Sequence, residues 1–317
     1  MGQTLTRPMP WVALNLHVPA GAIGIVAALV AAAIWGSTLA MTRLGIGDAA
    51  ALGPHDLVLL RFIGPAALLL PVALRAARRL GRADLPRLLA LLLGGGAPFV
   101  LLAGAGMQQA AAADAGALLP GTMPLWVAAA SVVAGQRDMA GFSMTQRVGF
   151  ALMALSVLLV AGPALVAGEG WHGPAMLIVA SWLAAGYTLA LRRAGLTPLE
   201  ATALVSLGSV LGFAPLYLVA LEPGLGAAGW GEIVLHGIWQ GGFSGLVAPM
   251  AFAVAVARLG AARAAAFGAL SPAAAALFGL VLLGETPEPL VATGLVAAGL
   301  GVALAARQSQ GPRKVLS

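Results

Sequence analysis

The sequence predicts an all-α integral membrane protein of ten transmembrane helices, built as two inverted five-helix repeats with the N and C termini cytoplasmic. Three observations carry this prediction. Of 317 residues, 60% are hydrophobic and 9% charged, at a mean hydropathy of +0.96, a balance that would leave far too much apolar surface in water but suits lipid. The apolar residues fall in stretches of roughly twenty, the length that crosses a bilayer core. Short patterns in the first half recur in the second about 150 positions on.

In chain order the predicted spans are 22–42, 55–74, 88–107, 110–133, 148–166, 174–191, 199–220, 231–256, 262–283 and 289–306. Residues 1–20, with one arginine and three prolines, read as a cytoplasmic tail rather than a cleavable signal. Residues 307–317 read as a second such tail. Charge bias orients the bundle. With the N terminus inside, the internal segments collect Arg7, then Arg75, Arg78, Arg79, Arg82 and Arg87, then Arg137 and Arg147, Arg192 and Arg193, Arg258 and Arg263, and finally Arg307, Arg313 and Lys314. Only Arg43, in the first external loop, and Arg61, inside the second span, are left over, as the positive-inside rule requires of an even span number. The external connections carry Asp48, Glu169, Glu222, Glu285 and Glu288.

The same distribution removes nucleic acid as a partner, despite a net charge of +6, because the cations lie between apolar segments. The chain has no cysteine, which excludes disulfides, thiolate metal sites and cysteine nucleophiles. His17, His55, His172 and His236 stand singly, so no metal and no cofactor is expected. Neither a GxxxxGK[ST] phosphate loop nor a nucleophile with a base partner is visible, which argues against an ATP-driven pump and against an enzyme.

The duplication fixes the architecture. Ile34-Trp35-Gly36-Ser37 is echoed by Ala180-Ser181-Trp182, Gly116-Ala117-Leu118-Leu119-Pro120 by Gly268-Ala269-Leu270-Ser271-Pro272, and the Gly135-Gln136 break by Gly284-Glu285. Two halves of five spans follow, at 21–167 and 168–306. Because five is odd, the second must insert upside down, as in repeat-built carriers.

These residues resemble the EamA family of the drug/metabolite transporter (DMT) superfamily. The resemblance rests on the tryptophan in the first helix of each half, on Leu60-Arg61-Phe62, on the Gly-Ala-Leu-x-Pro stretch, and on Leu283-Gly284-Glu285 followed by Gly294 and Gly299. It spans about Ala22 to Ala306. The first half departs from the second in having Gln136 where Glu285 stands, and the second has no counterpart of Arg61, with Glu200 near the start of its second helix. The resemblance implies a ten-helix bundle that exports or exchanges small organic solutes such as amino acids, in a bacterial inner membrane given the Ala-, Gly-, Leu- and Arg-heavy composition. The partners are then the lipid bilayer and a small-molecule substrate, with proton coupling and facilitated diffusion both open and a monomer expected.

Candidate pathway residues follow from depth and chemistry. Gly94-Gly95-Gly96-Ala97-Pro98 interrupts the third span and Gly241-Gly242-Phe243-Ser244-Gly245 with Pro249 the eighth, 147 positions later. Such breaks free backbone groups near a midplane, or else simply let helices approach. They are the favoured transport path, with Gly95, Pro98, Gly242 and Pro249 as its markers. Trp35, Trp182, Tyr187 and Trp239 place amphipathic rings within spans, where they can line a site or face lipid. Gln108 and Gln240 are able to hydrogen-bond a solute or to cap helix ends. Arg61 and Asp114 fall at similar depth in the outer half, so a salt bridge pinning two helices is the first expectation. A solute carboxylate on Arg61, or a proton on Asp114, is the second.

Overall fold

The computed structural model describes residues 20–47, 50–133, 135, 138–221 and 224–307. The tails apart from their inner ends, Asp48, Gln136, Arg137 and Glu222 lie outside the described residues, so of the Gly135-Gln136 break only Gly135 is described. Among the described residues the regular structure is helical, with no strand. In order run α1 (Ala20–Ile46), α2 (Pro54–Leu68), α3 (Leu70–Ala77), α4 (Leu85–Gly95), α5 (Ala97–Met107), α6 (Ala112–Leu118), α7 (Met123–Val133), α8 (Met144–Ala167), α9 (His172–Arg193) and α10 (Pro198–Ala220). Then come α11 (Trp230–His236), a π-helical stretch (Gly237–Val247), α12 (Ala248–Leu259), α13 (Ala261–Phe267), α14 (Leu270–Leu283) and α15 (Pro289–Ala305).

Among the described residues eight helical runs are long and apolar enough to cross a membrane, nine if α2 and α3 form one span. α15, at 17 residues, is shorter. The second span, expected as one helix over 55–74, is broken: α2 and α3 meet at a 79° bend. Pro71 is the physical reason, since it has no N–H to donate to the Ala67 carbonyl and so ends the ladder there.

Proline and glycine set the other interruptions too. Pro120 cannot bond the Gly116 carbonyl, which instead accepts from the Gly121 N–H at 3.3 Å, and α6 gives way to α7. In the echoing motif Pro272 leaves the Gly268 carbonyl to the Ser271 N–H at 3.0 Å, between α13 and α14. Where α4 stops, Gly96 is extended and the Ala97 N–H donates to Ser209 Oγ of α10 at 3.0 Å.

Small residues hold the bundle together, as lipid offers little drive for burying large ones. A Cβ on Gly36 would meet the Ser271 carbonyl oxygen at 2.7 Å, and one on Gly149 would meet that of Gly301 at the same distance. Large apolar side chains point outward instead: Val166 of α8 and Val219 of α10 are 91% and 88% exposed. Contacts are exchanged between the halves. α1 lies against α12 and α14, α9 against α4, α5 and α7, while α8 runs along α15 and α2 along α10.

Candidate functional site

The inner face of α1 carries Ser37, Thr38 and Thr42, all buried. Their hydroxyls donate to carbonyls one turn back, Thr38 to Ile34 at 2.6 Å and Thr42 to Thr38 at 2.8 Å, so polar groups persist in an apolar bundle without orphaned donors. Thr42 then accepts from Gln240 Nε2 at 2.9 Å. With its amide nitrogen so engaged, Gln240 turns Oε1 to Arg61, whose Nη1 donates to it at 3.1 Å and to Ser244 Oγ at 2.8 Å. Gln240 and Ser244 are almost wholly buried and Arg61 half-buried.

The π-helical stretch is placed for this by its glycines. A Cβ on Gly241 would come within 2.9 Å of the Leu60 carbonyl oxygen, and one on Gly245 within 3.2 Å of that of Arg61. The stretch therefore runs directly on the α2 backbone at the arginine. π turns inside helices are rare and concentrate at functional sites.

The expected Arg61–Asp114 salt bridge is corrected. α2 packs mainly on the π stretch, α10 and α5, and α6 mainly on α14, α15, α8 and α9, and the ion pairs among the described residues do not include Arg61–Asp114. Asp114 instead turns back to accept from the Ala111 N–H at 3.1 Å, satisfying an open donor of its own helix start.

A second polar cluster sits one residue along α1. Arg43 donates from Nε to Glu285 Oε1 at 3.1 Å and from Nη1 to the Met107 carbonyl at 2.9 Å, and Glu285 Oε2 accepts from the Ala112 N–H at 2.8 Å. The ends of α1, α5, α6 and α14 are joined by this one pair. Beside it lies an open cleft of about 460 Å³ lined by Arg43, Glu232 and His236 among others. His236 is 1% exposed and its Nδ1 has no partner. A third cluster centres on Asp56, fully buried, which accepts from Tyr217 Oη at 2.5 Å, Gly224 N at 3.1 Å and Gly53 N at 2.7 Å.

The sequence candidates divide accordingly. Arg61 and Gln240 come together, with Thr42 and Ser244 as partners that sequence reading missed; the i, i+4 spacing of Gln240 and Ser244 was the available signal. Gly95 and Tyr187 also meet, but as close contact: a Cβ on Gly95 would lie 2.7 Å from the Tyr187 ring. Trp35 is half-buried against Phe252, ring centroids 5.5 Å apart, and Trp239 lies 5.2 Å from Phe243 with its indole N–H buried and unpartnered. Gly242 has open space around its α-carbon and Pro249 is half-buried. Pro98 and Gln108 are exposed, and Trp182 is 58% exposed. Arg43, Glu285 and Asp56 were not anticipated as bonded groups, although Arg43 and Glu285 both fell in segments assigned to one side.

Comparison with known proteins decides the broad class. Residues 171–307 match the EamA-like transporter family. This part of the chain belongs to that family, within the drug/metabolite transporter superfamily. A solved structure, described only as "Crystal structure of protein", has a TM-score of 0.55 at 23% identity, over 90% of this chain and 96% of that one, a likeness of fold that extends to the first half. Comparison with curated proteins yields no match. The EamA match over residues 171–307 and the eight apolar membrane-length helices among the described residues support a multi-pass membrane protein whose second half is of the DMT transporter type.

Proposed function

We propose that the protein is a secondary transporter, exporting or exchanging small organic metabolites by alternate opening of two inverted repeats, 21–167 and 168–306. Amino acids and related amphipathic solutes are the foremost candidates. The observation that carries the reading is that an EamA-like chain has its third and eighth spans interrupted at equivalent places, α4 to α5 at Gly96 and the π stretch from Gly237, the latter lined by Gln240 and Ser244. Broken helices of this kind line carrier sites.

The ten-span count takes α2 and α3 as one bent span and α15 as the tenth. Supporting it, three ties between distant segments each join residues that the charge bias assigns to one side: Arg43 to Glu285 and Asp56 to Tyr217 outside, Arg79 to Glu200 inside. The exchange of helix partners between halves supports the repeats. The tails are then cytoplasmic, the membrane is the bacterial inner one, and the monomer is the working unit.

The test is uptake into proteoliposomes of radiolabelled amino acids and organic cations, with and without a pH gradient. Saturable movement of at least one class is expected, and the gradient separates proton antiport from facilitated diffusion. Movement of no solute overturns the proposal.

A further inference from the structure

We infer that Arg61 is the carboxylate-binding group of the transport path, so that solutes are recognised through an anionic head. This deepens the transporter reading and rests on it for its functional meaning. A guanidinium cannot lose its charge in a protein and presents five N–H donors in a fixed fork. Nη1 of Arg61 is taken up by Gln240 and Ser244, both neutral. Among the described residues no carboxylate lies within ion-pair distance of it, the ion pairs being Arg43–Glu285, His55–Asp56, Arg79–Glu200 and Arg87–Asp84.

The geometry of what remains is specific. Nε–H and the neighbouring Nη2–H form the side of the fork that grips a carboxylate through two parallel hydrogen bonds. Neither has an acceptor among the described residues. Neither is among the fully buried unpartnered side-chain atoms of the described residues, which are Ser156 Oγ, His236 Nδ1 and Trp239 Nε1, and Arg61 as a whole is half-buried. The fork is also held in place: Gln240 is locked by Thr42, and the π stretch lies on the Arg61 backbone.

An intramembrane cation with only neutral partners keeps an uncompensated charge, and such residues mark ligand and ion pathways. Arg43, one residue beyond Thr42 on α1, shows the alternative. It meets Glu285 and has no charge left to offer.

The experiment uses the purified full-length chain and a matched panel: L-leucine, 4-methylpentanoate, L-leucinamide and 3-methylbutylamine, repeated on alanine and phenylalanine side chains. Thermal unfolding in detergent reads binding and proteoliposome flux reads transport. At least one carboxylate-bearing set is expected to bind and move ten- to a hundredfold better than its amide and amine, the scale of a charged hydrogen-bonded pair. Arg61→Gln abolishes that ratio, and Arg61→Lys retains part of it by keeping charge without the fork. If either variant fails to fold, by size-exclusion profile, the native-chain ratio stands alone as the test.

Equal handling of amides or amines by the native chain overturns the inference and leaves the transporter reading intact. Carboxylate binding without flux of any solute overturns the transporter reading and leaves the site. Stabilisation that follows phosphatidylglycerol content, and not added carboxylate, assigns the edge to lipid and also overturns it.

Discussion

Arg43 stands on α1 next to Thr42, and Arg61 of α2 is linked to that same Thr42 through Gln240; the difference between the two arginines is charge balance. Arg43 has a carboxylate at 3.1 Å and a backbone carbonyl at 2.9 Å, and the acid it meets is itself bonded to the Ala112 N–H. Arg61 has an amide oxygen and a hydroxyl. In a low-dielectric bundle the first arrangement is a tie between helix ends, while the second holds a cation in position without neutralising it. Their places in the sequence, an external loop for Arg43 and a span for Arg61, do not by themselves say which is a tie. Partner chemistry does.

If saturated groups are ties, the most buried of them should show the largest loss on removal. Asp56 satisfies three donors from α10, the segment after it and its own helix start. Asp56→Ala leaves the buried Tyr217 hydroxyl and two half-buried N–H groups without their acceptor, and is expected to cost about 3 kcal/mol or more. The measurement is the melting temperature and monodisperse yield in detergent. Tyr217→Phe removes one of the three bonds and should cost about 1.5 to 3 kcal/mol. Wild-type stability in Asp56→Ala would break the rule that saturated polar groups here are structural.

Arg61→Gln sharpens the other side of the comparison. Carboxylate flux should fall by about tenfold or more while stability changes by about 1 kcal/mol or less, because interhelical hydrogen bonds in membranes average only about 0.6 kcal/mol. A variant that unfolds while retaining carboxylate preference in its folded fraction would make Arg61 a tie like Arg43.

Arg43→Gln should behave in reverse. The Glu285 carboxylate keeps its bond from Ala112 but loses its cation, for a cost of about 1 to 2 kcal/mol at these partly exposed positions. Its carboxylate-to-amide ratio should be unchanged. The charge-swapped pair Arg43→Glu, Glu285→Arg should recover only part of the loss, since the Met107 carbonyl would then face an acid.

The same contrast explains how far sequence reading could go. Helix existence was legible because apolar length is a property of composition, and so was the Gly-Ala-Leu-x-Pro motif, since a missing proline N–H acts locally at Pro120 and Pro272 alike. The bend at Leu69 was missed although Pro71 is equally visible, because whether a helix kinks or reseats depends on what lies beside it. Arg61 was found as an oddity and then given the wrong partner. Asp114 was the only acid at similar depth, but pairing depends on which helices touch, and the sequence offers depth without neighbours. Ser244, quoted only as part of a glycine break, and Thr42 were not read as bonding partners because hydroxyls in apolar helices usually bond their own backbone, as Thr42 also does.

The smallest expected effect separates two tryptophans that the repeat made equivalent. Trp35 lies half-buried against Phe252 of α12, whereas Trp182, its counterpart in α9, is 58% exposed on the lipid side of the bundle. Trp35→Leu removes an aromatic pair and should cost about 0.5 to 1.5 kcal/mol. Trp182→Leu exchanges one lipid-facing apolar surface for another and should stay within about 0.5 kcal/mol of wild type. Flux measured beside melting temperature sharpens this further: a Trp182→Leu chain that melts normally but transports poorly would mean that the ring turns inward in the other conformation of the cycle. Unchanged flux would assign it to the lipid boundary throughout, and would show that two residues related by the repeat need not share a role.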